Sequence, residues 1–181
     1  MHYQNFGNMA FGAVLILTAL VLLITALGAS GNRKDWEQSL AAVSQAQQAV
    51  ADGDYERALA YYEAMSPGYQ ASHTPQLIVG SAYVGMADQA KAAGQAEASK
   101  EYLQLAALHL NQAREKNFHI VESQGYVNGY ARVMVELGEY AAARQYFLQS
   151  VKLNTNPEFT TYAQEQLKLI EGMPNGGGAG E

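Results

Sequence analysis

The stretch GDYERALAYYEAM, which begins at Gly53, returns as GEYAAARQYFLQS at Gly138. A phrase written twice at this length restricts a chain to folds assembled from equivalent units. Aligned on their glycines, Gly53-Asp54-Tyr55 matches Gly138-Glu139-Tyr140, Ala58 matches Ala143, and Tyr62 matches Phe147. Each run spaces its apolar residues three and four apart and follows a helix-compatible segment, SLAAVSQAQQAVAD or QGYVNGYARVMVEL, so two amphipathic helices flank each glycine. The glycine supplies the positive φ that ends a helix in a tight turn, and an acidic residue after it suits the N-terminus of the next. Ala58 and Ala143 are expected to be small because two antiparallel helices approach closely there. A third copy, GQAEASKEYLQLA, starts at Gly94, with Ser99 at the small position and Leu103 at the aromatic one. The three glycines lie about 40 residues apart.

These residues resemble the tetratricopeptide repeat (TPR), a unit of about 34 residues whose second helix carries G-x-Y, a small residue, an aromatic and another small residue. With glycine as the fifteenth position, the eighth falls on Ala46, Ala87 and Ala131 and the twenty-seventh on Met65, Ala106 and Ser150. The family's aromatics at the fourth and eleventh positions are replaced by Ala42, Tyr83 and Val127 and by Ala49, Ala90 and Met134. The longer period is assigned to a loop, SPGYQASHTP, in which Pro67 closes the first unit, and to LHLNQAREKNFHIVES, a helix extension or second insertion. Thr74-Pro75 and Asn156-Pro157 each pair an N-cap residue with proline at the first helical position, and the second opens a helix suited to capping the array. The resemblance spans about residues 36–171 and implies an α-solenoid of about three TPR-like helix pairs. It also implies a concave groove lined by the first helix of each pair: Leu40, Val43, Gln47 and Val50, then Ser81, Val84, Asp88 and Lys91, then Gly125, Asn128, Arg132 and Val135. The family's best-known clamp uses Lys and Asn where Val43 and Gln47 stand, so capture of a partner's terminal carboxylate is not expected. Residues 172–181 read as a flexible Gly-rich tail.

The other dominant feature is MAFGAVLILTALVLLITALGAS from Met9 to Ser30, with no charged residue before Arg33. As a helix this run is about 33 Å long, enough for a hydrocarbon core of about 30 Å. Residues 1–32 are therefore expected to form a hydrophobic transmembrane or assembly helix, giving an all-α chain. A cleaved signal peptide is the competing reading, carried by the small residues Ala26, Gly28 and Ser30; the length of the run and the lack of Lys or Arg before it oppose it. Arg33 and Lys34 would place the soluble part in the cytoplasm by the positive-inside rule. Its few charges and many tyrosines point to a periplasmic or extracellular side, and the orientation stays open.

Chemistry is bounded more tightly. The net charge of -6 argues against nucleic acid, and a chain with no cysteine has no thiolate nucleophile or thiolate metal site. His2, His73, His109 and His119 lack metal-ligand spacing, and no phosphate loop or nucleophile elbow occurs. Asp52, Asp54 and Glu56 read as the acidic start of a helix rather than a calcium loop. Tyr62, Tyr102 and Tyr146 are expected where helices pack, while Tyr3, Tyr69 and Tyr126 are expected to be freer and available as contact residues. The chain thus reads as a non-enzyme without cofactors, a membrane-anchored adaptor for another protein. The alternative is a filament or pilus-like subunit, extracellular, whose copies associate through residues 9–30 with the repeats outside.

Overall fold

A computed structural model describes residues 33–173, and among these there are helices and turns but no strand. Helix α1 covers 33–51, followed by α2 (Tyr55–Glu63), a single-turn α3 (Pro67–Gln70), α4 (His73–Ala92) and α5 (Ala96–Lys116). A 3-10 segment, Phe118–Glu122, then leads to α6 (Gln124–Glu136), α7 (Tyr140–Leu153) and α8 (Pro157–Ile170). The run 9–30 and residues 174–181 lie outside the described part. Among the described residues no helix is long and apolar enough to cross a membrane.

The three glycine turns are the same structure made three times. Gly53, Gly94 and Gly138 have φ of 78°, 75° and 82°, in the left-handed region that costs a side chain about 1–2 kcal/mol. In each turn the glycine N–H bonds the carbonyl three residues back at 3.0–3.1 Å, and the next N–H bonds the carbonyl five back at 2.8–2.9 Å. Those two bonds satisfy the carbonyls that a helix end leaves unpaired. Asp54 then caps α2 by accepting from the Arg57 N–H at 3.2 Å.

Small residues sit where the paired helices touch. Ala46, Ala87, Ala131, Ala58, Ser99 and Ala143 are all buried, as are Met65, Ala106 and Ser150. The Ser99 hydroxyl donates to the Ala87 carbonyl at 2.9 Å, so the backbone of α4 lies within one side chain's reach of α5. Gly80 reports the same closeness: a Cβ there would stand 2.7 Å from Leu110 Cγ. Leu103 and Phe147 are buried, while Tyr62 is half-buried with its hydroxyl accepting from Gln76 Nε2 at 3.2 Å.

Helices α4 and α5 pack together, as do α6 and α7, and α2, α5 and α7 each touch the helix that opens the next group, namely α4, α6 and α8. One apolar cluster runs from α4 to α8, and two smaller ones lie under α1, α2 and α4. Three local expectations are corrected. Pro67, past the end of α2 at Glu63, opens the single-turn α3, so SPGYQASHTP is not all loop. Helix α4 begins at His73 after Ser72, which puts Pro75 inside the first turn, where the N–H it lacks would have had no intrahelical acceptor. The second insertion is both things at once, an α5 extended to Lys116 and a 3-10 segment. Asn156-Pro157 behaves as expected: Asn156 accepts from the Glu158 N–H at 2.9 Å and Pro157 opens α8.

Candidate binding groove

Between α4 and α6 lies an open cleft of about 440 Å³. Its α4 wall is Leu77, Ser81 and Val84, one row of a helix face; its α6 wall is Gly125, Tyr126, Gly129 and Tyr130. Leu110, Ile120 and Ser123 close the end where the 3-10 segment crosses. Three of the expected groove positions, Ser81, Val84 and Gly125, are therefore together. A Cβ at Gly129 would meet nothing within 4 Å, and one at Gly125 would sit 3.6 Å from the Phe159 ring, so α6 shows bare backbone to the cleft. The apolar positions Leu77, Ile120 and Tyr130 were not foreseen, and Tyr126 was expected only as a freer ring available for contacts. Their one sequence signal is Gly125 and Gly129 inside a helix, where glycine costs about 1 kcal/mol each relative to alanine.

The tyrosines face the cleft as rings, not as acids. Tyr126 and Tyr130 stack at 5.9 Å, and Tyr130 meets Tyr146 edge-on at 4.9 Å. Burial pushes both the Tyr126 and Tyr130 hydroxyls above the usual phenol value. Tyr126, expected to be free, is buried, because its hydroxyl donates to the Leu110 carbonyl at 3.1 Å and pins α6 to α5.

Beyond Val84 the two helices carry an alternating set of charges. Lys91 Nζ lies 2.8 Å from Glu136 Oε2, Arg132 Nε lies 3.3 Å from Glu136 Oε1, and Arg132 Nη2 pairs with Asp88. Asp88, Lys91 and Arg132 were expected as separate lining residues; they are brought into one cluster that joins α4 to α6. Burial alone would push the Glu136 carboxyl up, but Lys91 and then Arg132 outweigh it and hold it below the usual range. Burial opposes the Arg132 charge too, and Asp88 followed by Glu136 overcomes it.

The remaining expected positions do not form one open surface. Asn128 is 5% exposed, its Nδ2 donating to the Phe159 carbonyl at 3.0 Å and its Oδ1 buried without a partner. It was expected as an open donor, but α8 lies over it. Val43 is buried among Ala46, Met65 and Ile78, and Val50 is half-buried beside them. Val135 packs on the main cluster, while Gln47 and Leu40 are exposed.

Among the described residues no three metal-binding side chains converge. His109 instead joins the packing, stacked on Tyr83 at 5.6 Å with Nδ1 2.6 Å from Gln76 Oε1, and burial lowers its pKa. His119 pairs with Glu122 at 3.0 Å on the surface. The arrangement suits recognition: aromatic faces, bare helix backbone and an apolar wall, bordered by fixed charges. Compared with known proteins, the chain matches no family model and no curated protein.

Proposed function

We propose that this chain is a non-enzymatic scaffold whose TPR-like helix pairs form a short α-solenoid, held at a membrane by residues 9–30, and that it binds a partner protein in the cleft between α4 and α6. The observation that carries the reading is that cleft, whose walls combine Leu77, Val84 and Tyr130 with exposed backbone at Gly129. An apolar side chain entering there would bury area worth about 25 cal/mol per Å² and find ring faces to pack on. The recurring turns and the buried small residues support the repeat assignment. The charge cluster favours a fixed spacing of α4 and α6, since its four groups are already paired across the two helices.

A second reading has its own support. Leu105, Leu108, Leu148 and Leu169 are exposed on α5, α7 and α8, an excess of apolar surface suited to contact between copies in a filament. One experiment separates the two. On the scaffold reading a photo-crosslinking amino acid placed at Ser81 in cells should yield one discrete adduct and the same probe at Gln104, beside Leu105 on the exposed side of α5, none; on the assembly reading Gln104 should label. An adduct at the mass of two copies favours assembly, and a heterologous mass favours the scaffold. Equal labelling at both positions removes the groove from the scaffold account.

A further inference from the structure

The end of the molecule remote from α8 carries an aromatic surface with a different use. Trp36, the single tryptophan, is 55% exposed although its ring stands edge-on to Tyr69 at 4.7 Å. Leu40, one turn along α1, is 47% exposed, so α1 turns a Trp–Leu pair outward with Tyr69 of α3 beside it. Stacked helix pairs must have their ends covered. At the far end α8 does this, burying Ala163 and Ile170, whereas no described helix covers Trp36 and Leu40.

The chain itself says what lies nearby. The apolar run ends at Ser30, six residues before Trp36, so Trp36 stands no more than about 20 Å from the end of that run in any backbone conformation. Tryptophan and tyrosine concentrate at the boundary between hydrocarbon and water, where an apolar ring and a polar edge are both satisfied. Arg33 and Lys34 lie between, offset by Asp35 and by Glu37, which pairs with Arg33 at 3.0 Å. With its charges balanced, this flank would be drawn to lipid by its rings and not by acidic headgroups.

We propose that Trp36, Leu40 and Tyr69 rest in the headgroup layer of the bilayer that residues 9–30 enter, so that the first helix pair lies against the membrane and the array is held at a set angle to it. The proposal depends on the membrane reading of residues 9–30.

The lone tryptophan makes the test direct. The full-length protein is mixed with phosphatidylcholine vesicles, floated on a density gradient, and its fluorescence read with lipids brominated either near the glycerol end or near the tail end of the acyl chain. The proposal expects a blue-shifted emission, strong loss with the shallow bromines, little loss with the deep ones, and shielding from aqueous iodide. The Leu40→Gln/Tyr69→Ser variant keeps the reporter and should shift emission to the red and raise iodide quenching, with helicity unchanged. Protein that floats while Trp36 stays open to iodide and blind to bromine overturns the surface contact and leaves the anchor standing. Protein that fails to float overturns both. Shielding from iodide without bromine quenching means that a second copy covers this face, and it overturns the proposal as well.

Discussion

Gly85 lies in the middle of α4, where a Cβ would fall inside the ring of Tyr55, the tyrosine of the Gly53-Asp54-Tyr55 turn. Two effects of Gly85→Ala therefore oppose each other. Alanine gains about 1 kcal/mol over glycine in a helix interior. The added methyl must displace the Tyr55 ring, an overpacking cost of about 1–3 kcal/mol, and the half-buried ring then loses contact with α4. The net expectation is a loss of about 0–2 kcal/mol. In a Tyr55→Ala background the obstacle is gone, and the same change should stabilise by about 1 kcal/mol. The sign reversal is the signature, a coupling of about 1–3 kcal/mol in a double-mutant cycle, read as urea midpoints by circular dichroism. In thermal scans each kcal/mol should move the midpoint by about 2–4 °C for a chain of this size. If Gly85→Ala stabilises both backgrounds equally, the Tyr55 ring is not on α4, and the docking of the first helix pair onto the second is wrong.

Ala143→Leu, at a position with 0% exposure, should cost about 1–3 kcal/mol, while the exposed Ala141→Leu should leave the urea midpoint almost unmoved; equal midpoints would refute the α6–α7 contact. Because the Glu136 carboxyl is held below its ordinary value, its contribution is fully present above about pH 4.3 and is lost as pH falls through the lower folded value. Glu136→Gln should thus lower stability near neutrality and flatten the acid limb of the stability curve. His109 is held below its ordinary value by burial, so its share of stability is complete above about pH 6.5 and declines as pH falls below it. His109→Gln should remove that slope, and an unchanged slope would place the titration elsewhere. Asn128→Ala should speed amide exchange in α8 selectively, since it deletes the bond to the Phe159 carbonyl; uniform exchange across α8 in both proteins would show that this bond holds nothing.

The parts of the molecule legible beforehand are those decided within a few residues. Glycine tolerates φ near +78° and alanine does not, so Gly53 and Gly138 mark turns in any tertiary setting. Asn156-Pro157 starts a helix because a side-chain oxygen and a missing N–H act on the same turn. The small residues were legible through their recurrence, which registers helix contact without showing the contact itself. What the sequence left open depends on partners far along the chain. Asn128 has the polarity of a groove residue, yet Phe159, 31 residues away, arrives over it and makes it part of the core. Arg132 meets Asp88 across 44 residues and Lys91 meets Glu136 across 45, so charges that read as separate lining became one cluster of mutual pairs at the surface. Tyr126 is drawn into the core by its bond to the Leu110 carbonyl of α5, 16 residues back, a pairing that no periodicity encodes. Local sterics act through the peptide backbone and leave a mark in residue type, whereas the separation of α4 from α6, and with it the cleft, is set by the summed packing of helices α4 to α8.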